Sequence, residues 1–209
     1  MGRWEPDSRG RLQEAAFSLY AERGFDQTTA AEIAARVGVT ERTFFRHFAD
    51  KREVLFGGSA VLQERIVTGV AEAPEGDTPL EAVASGLDAA ADLLGEARRD
   101  LSAQRQAVIA ANPELREREL AKLADYAAAV AATLRQRGAG ELHATLAAEA
   151  GMSVFRVAIE RWANSADDRS LPVIMKDAMA ELRAVTAGST GSPKTETASG
   201  RRSRLPGDD

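Results

Sequence analysis

Apolar residues recur along this chain at helical spacing almost from end to end, and the pattern divides it into a series of helices. Leu12, Ala15, Ala16 and Leu19, widened by Phe17 and Tyr20, predict a first helix that Asp7 or Ser8 caps and Gly24 ends. Ile33, Ala34 and Val37 share one face of a short second helix, with Glu32, Ala35 and Arg36 turned away and Thr28 or Thr29 as its cap. Gly38 then suits a left-handed turn position, where other residues meet a steric cost. Val39 plugs that turn. Thr40 caps a third helix from about Glu41, its hydroxyl placed to accept from the backbone of Arg42 or Thr43. Phe44 and Phe48 lie on one face of this helix, Arg42 and Arg46 roughly opposite, and Thr43 and Phe45 on the flanks. Residues 28–51, TTAAEIAARVGVTERTFFRHFADK, thus form two short helices around a tight turn, one side packed and the other offered outward.

Beyond this unit the spacing predicts a connecting helix over 51–73, opened by an Asp50/Glu53 capping box and carrying Val54, Leu55, Leu62, Ile66 and Val70 inward. Gly57-Gly58 interrupts it, which reads either as close packing or as a hinge. After a loop at 73–77, a helix capped by Asp77 or Thr78 uses Leu80, Val83, Leu87 and Leu94. Another covers about 97–111 with Leu101, Ala107, Val108 and Ile109. Asn112-Pro113-Glu114 starts the next, inward through Leu120, Leu123, Ala127, Val130 and Leu134, with Glu114 and Arg118 as an i, i+4 pair on its solvated face. Two last helices follow. Ala148, Met152, Phe155, Ile159 and Trp162 form a heptad-like seam in 141–164, and Leu171, Met175, Ala178, Leu182 and Val185 form a second in 171–187. Each seam reads as core or as a two-fold interface. From residue 188 the Gly/Ser/Thr/Pro composition predicts a disordered tail, 188–209, in which Arg201, Arg202 and Arg204 are solvated.

Composition narrows the function classes. With 209 residues there is material for two helical units, and 5% aromatic residues with few β-branched runs points to an all-α protein. Cysteine is absent, which excludes disulfides, thiolate nucleophiles and Cys-ligated metal sites. The only histidines are His47 and His143, so no local metal pair or Ser/His/Asp set assembles, and no glycine-rich phosphate loop is present. We therefore expect no catalytic residue, no metal and no cofactor: the chain is not read as an enzyme. It lacks an apolar leader and any run of eighteen apolar residues, which predicts a cytoplasmic protein with no membrane partner. The net charge is −5, yet residues 1–52 hold nine Lys and Arg against eight Asp and Glu. Nucleic-acid affinity must then be local, resting on Arg9, Arg11, Arg42, Arg46 and Lys51.

The spread of Ala15-Ala16, Leu19, Gly24-Phe25, Thr29, Ile33-Ala34, Gly38-Val39, Thr43, His47-Phe48 and Lys51 over residues 12–55 resembles, without gaps, the N-terminal domain of the TetR (tetracycline repressor) family of bacterial regulators. That resemblance implies an N-terminal three-helix helix-turn-helix domain at 1–52 and a C-terminal helical ligand-binding and dimerisation domain at 53–187. It implies a homodimer reading an inverted-repeat operator in double-stranded DNA, released by a small-molecule effector of unknown identity. The DNA-binding candidates are Thr40, Arg42, Thr43, Phe45 and Arg46 at the recognition helix, with Thr29, His47 and Lys51 on phosphates. Arg42 and Phe45 depart from the commonest family pattern, which has glycine and tyrosine there; arginine adds a guanine contact and phenylalanine keeps only apolar contact with a thymine methyl. Leu62, Ile66, Leu87, Leu94, Ile109, Tyr126 and Phe155 are the candidate walls of the effector site, read as apolar or amphipathic. Met152, Phe155, Ile159, Trp162, Met175, Ala178 and Leu182 are the candidate dimer contacts. The rival reading is a helical protein-interaction module that uses the late helix pair and binds no DNA.

Overall fold

A computed structural model describes residues 8–164 and 169–188, and these contain ten α-helices, one 3₁₀ turn and no strand. Three short helices come first: α1 (Ser8–Arg23), α2 (Ala30–Arg36) and α3 (Glu41–His47). Gly24 and Gly38 both stand at positive φ, 85° and 73°, so each terminates its helix as the sequence requires. Thr40 accepts a hydrogen bond from the Thr43 amide, and Thr29 forms a reciprocal capping box with Glu32.

The connecting helix expected over 51–73 is two helices, α4 (Glu53–Phe56) and α5 (Ser59–Ala71), broken at the glycine pair. Asp50 Oδ1 accepts from the amides of Arg52 and Glu53 at 2.8 and 2.9 Å, but the return half of the expected box is missing. The Glu53 carboxylate instead pairs with Arg118, which also displaces the expected Glu114–Arg118 pair. Next come α6 (Pro79–Leu94), a 3₁₀ turn (Glu96–Arg98), α7 (Arg99–Ala111), α8 (Pro113–Gln136), α9 (Glu141–Asn164) and α10 (Leu171–Thr186). Thr78 and Glu81 build a second capping box at the start of α6. Asn112 does not cap α8; its side-chain amide donates to the Val108 carbonyl and closes α7.

Two cores result. One joins α1–α4 through Leu12, Phe17, Ile33, Phe44 and Val54, and it takes in Val108, Ile109 and Leu115 from α7 and α8. The other holds α5, α6 and α8–α10 around Ile66, Leu87, Val130, Phe155 and Trp162. The first core therefore runs through Phe56, four residues beyond residue 52, and takes in α7, which also packs against α9. Close approach of α5 and α6 depends on small residues, since a Cβ on Gly86 would lie 2.7 Å from the Ile66 carbonyl oxygen.

Burial corrects several inward assignments. Leu120 and Val185 are exposed. Met152, Phe155, Ile159, Trp162, Met175 and Ala178 are buried within the single chain, and Leu182 packs half-buried on the same core. Apart from Val185, the heptad-like seams are thus intramolecular packing, and the buried side chains are not surface for a second copy to meet. The cap at Asp7 and the tail from 189 onward, with Arg201, Arg202 and Arg204, lie outside the described residues.

Candidate nucleic-acid interface and an adjoining cavity

The third helix is anchored from one side. Phe44 is fully buried, and its ring stands 5.6 Å from that of Phe48. On the other side Arg42 and Arg46 are exposed, one turn apart, with no hydrogen-bond or ion-pair partner among the described residues. Phe45 is half exposed, its ring edge-on to Phe44 at 5.4 Å. Thr43 is half-buried, its hydroxyl 3.1 Å from that of Thr40. Arg42, Thr43, Phe45 and Arg46, with Thr40 at the helix start, therefore form one outward surface. A buried aromatic wedge holds it rigid.

The other expected cations and hydroxyls are committed internally. Lys51 Nζ donates to the carbonyls of Phe25, Asp26 and Thr28 at 2.8, 3.2 and 3.1 Å and sits 4.4 Å from the Phe25 ring centroid. All three of its N–H donors are used. This corrects its expected place on a phosphate: it clamps the turn between α1 and α2. Arg9 donates to the Gly57 carbonyl and lies over Phe48, and Arg11 donates to the Val37 carbonyl at 3.0 Å. Both fasten the fold instead of facing outward for DNA. The Thr29 hydroxyl and amide both donate to Glu32 Oε2 at 2.9 Å, and the Glu32 amide donates back to Thr29 Oγ1 at 3.2 Å, so the Thr29 groups that would meet a phosphate are already taken up by the cap. His47 is half-buried, with Nε2 buried and unpartnered, which places it in packing beside Phe48 more than on open surface.

Electrostatics bind the same unit. Arg36 donates twice to Glu22, at 3.0 and 2.8 Å, and with help from Ser18 this holds the Glu22 carboxyl down at about 2. Burial, reinforced by the Asp50 charge, raises the Tyr20 phenol, whose hydroxyl donates to the Lys51 carbonyl at 2.7 Å. Helix α1 is thereby tied to the entrance of α4.

Behind the reader lies a cavity of about 350 Å³, within the range of small-molecule sites. Leu62, Leu94, Tyr126 and Phe155, candidates for an effector site, line it, and Ile159, expected at a dimer seam, joins them. Ile66, Leu87 and Ile109 do not reach it; each is solid core. Sequence reasoning missed Phe17, Leu55, Phe56, Leu101 and Leu123, and the polar members Arg98, Arg105, Glu119, Lys122 and Arg156. No local pattern marks them, because the wall draws on seven helices, α1 and α4–α9, and on the 3₁₀ turn at Arg98. Tyr126 donates to the Ser59 carbonyl at 3.0 Å, and burial pushes its phenol up to about 12.

Comparison with known proteins agrees with this arrangement. Residues 12–56 match the family model for bacterial regulatory proteins of the tetR family, and residues 77–187, more than half of the chain, match the MftR C-terminal domain. The transcriptional regulator TcmR of Streptomyces glaucescens is 34% identical over 120 residues, 57% of this chain and 52% of that protein. The repressor KstR2 of Mycobacterium tuberculosis is 40% identical over 47 residues, 22% of this chain and 24% of that one. The chain spans about half the length, or less, of the curated relatives it matches. Among solved structures, a regulator from Pseudomonas aeruginosa PAO1 superposes with a TM-score of 0.58 at 18% identity, covering 90% of this chain and 94% of that one. FadR of Bacillus subtilis, in complex with stearoyl-CoA, gives 0.55 at 20% identity, covering 83% and 96%. At these identities the structures speak for the fold. Among the described residues no helix is long and apolar enough to cross a membrane. With a helix-turn-helix at its N-terminus and a helical body behind it, the chain belongs to the TetR family of DNA-binding transcriptional regulators.

Proposed function

We propose that the chain is a ligand-responsive repressor that binds an inverted-repeat operator as a homodimer. One observation carries the DNA-reading part: Arg42 and Arg46 stand exposed and unneutralised on a helix locked from behind by Phe44, in a chain of net charge −5. Two such helices related by a two-fold axis would enter successive major grooves, with Arg42 or Arg46 on guanine and Phe45 against a thymine methyl. The body supplies the response, its cavity touching α1 and α4 of the reader directly. A ligand that fits one arrangement of the readers better than the other shifts their population by its differential affinity.

The pairing surface lies on the outer faces of α9 and α10. Leu142 and Leu146 are 69% and 58% exposed, and with Val157 they follow one face of α9; Val173 is exposed on α10. Exposed leucines in a row, beside a seam already buried in the single chain, support a second copy there.

Gel-shift titration against DNA flanking its own gene, repeated over salt, tests the reading. A sequence-preferring complex is expected, which Arg42→Ala weakens by about 1–3 kcal/mol while relaxing preference at one base. Absence of any salt-sensitive complex would favour the protein-interaction module.

A further inference from the structure

Charge is distributed unevenly around the cavity. Its wall carries Arg98, Arg105, Lys122 and Arg156 against one carboxylate, Glu119. That carboxylate is already spent, since Arg105 Nη1 donates to Glu119 Oε1 at 2.9 Å. Arg156 has only Glu160, at 4.0 Å and largely exposed. The side chains of Arg98 and Lys122 have no hydrogen-bond or ion-pair partner among the described residues. In a chain of net charge −5, this leaves surplus positive charge on the wall of an apolar cavity. Arg98 and Arg156 are exposed and Lys122 is half-buried, so the surplus lies where the cavity meets solvent and favours an anionic head over a cationic one there.

Resting on the effector reading above, we propose that the cavity takes an apolar acid whose head competes with Glu119 for Arg105. Its apolar part packs among Phe17, Leu62, Leu101 and Phe155, and Arg98 and Lys122 balance its charge. Arg105 also links the cavity to the reader. Its Nε donates to the Leu55 carbonyl at 2.8 Å, and its guanidinium lies 5.2 Å from the Phe56 ring centroid, both within or beside the break between α4 and α5. A guanidinium is a rigid planar fork, so turning its Nη groups toward a new anion swings Nε away from Leu55. The first core then loses a backbone tether at α4, and the reader is loosened. An amine of the same shape cannot do this, because the cationic wall opposes it.

The full-length protein should be titrated calorimetrically with decanoate, decanol and decylamine, which share a chain and differ in head charge. Decanoate is expected to bind about tenfold or more tighter than decanol, with decylamine weakest. The double variant Arg98→Gln/Lys122→Gln should weaken decanoate by several-fold toward decanol without moving decanol, since Arg105 still holds the head. Glu119→Gln, which removes the competitor, should tighten decanoate alone. Hydrogen exchange should rise over residues 53–58 with decanoate, and Arg105→Lys, keeping charge without the fork, should abolish that rise. Equal binding of decanoate and decanol, or preference for decylamine, would overturn the acid while leaving an effector cavity. Binding of none of the three by protein that still shifts DNA would overturn both the acid and the cavity reading. Tight decanoate binding with unchanged exchange at 53–58 would overturn the role of Arg105.

Discussion

Lys51→Met separates two roles that a single lysine can play in a DNA-reading domain. The substitution keeps the stem against Phe25 and removes the ammonium that bonds to the carbonyls of Phe25, Asp26 and Thr28. These bonds share one partly solvated charge, so about 1 kcal/mol each is a fair allowance, and the contact over the Phe25 ring adds about 0.5–1 kcal/mol. Releasing the lysine side chain returns up to about 2 kcal/mol of rotamer entropy. The net expectation is a loss of about 2 kcal/mol, or about 4–8 °C in melting temperature for a chain of this size. Urea unfolding of wild type and variant measures it. The salt dependence of operator binding should keep its slope, because a clamp neutralises no phosphate, whereas a lost phosphate contact would flatten it by about 0.9. A variant as stable as wild type to within about 0.5 kcal/mol, with a slope lowered by about one, would refute the clamp.

The two glycines after α4 should behave differently. A Cβ on Gly57 would lie 2.9 Å from Phe48 Cε1 and 3.2 Å from Arg9 Nη2, so Gly57→Ala should cost about 1–3 kcal/mol. At Gly58 nothing lies within 4 Å and φ is −98°, so Gly58→Ala should be neutral or stabilising by up to about 1 kcal/mol; equal denaturation midpoints for the two variants would argue against a packing role for Gly57. The reader should also loosen in acid. The Glu22 carboxyl is lowered to about 2 mainly by Arg36, so its contribution is full above the unfolded value near 4.3 and disappears as pH falls toward 2. Glu22→Gln should remove that part of the pH dependence between about 4.5 and 2, as followed by circular dichroism.

The outward surface of α3, proposed as the DNA reader, was legible in the sequence because every signal behind it is local. Gly38 needs positive φ, Thr40 needs the Thr43 amide, and Phe44 with Arg42 and Arg46 needs only a helical period, all within ten residues. The other cations were not legible. Lys51, Arg9 and Arg11 look alike to Arg46 in sequence, and what distinguishes them is which carbonyls the fold brings near: those of Phe25, Gly57 and Val37, some 26 to 48 residues away. The same holds for the cavity. Leu62 and Tyr126 were found as inward apolar residues, but whether an inward residue meets space or packing depends on how several helices meet, which is why Ile66 and Ile109 proved to be core.

The late helices show where periodicity stops discriminating. A run such as Met152, Phe155, Ile159 and Trp162 reports only that one face of α9 is apolar, and a face buried on its own chain has the same spacing as one buried on a copy. What separates them is the opposite face. A helix serving only its own core has no need of leucine outside, yet α9 carries Leu142 and Leu146 there, four residues apart, with Val157 further along the same face. Polar residues, Glu149 and Ser153 among them, break that line, as at interfaces that form after each chain has folded. On the proposed homodimer the helix is read twice, once inward for stability and once outward for pairing, and only the inward stripe was conspicuous enough to be taken as a seam.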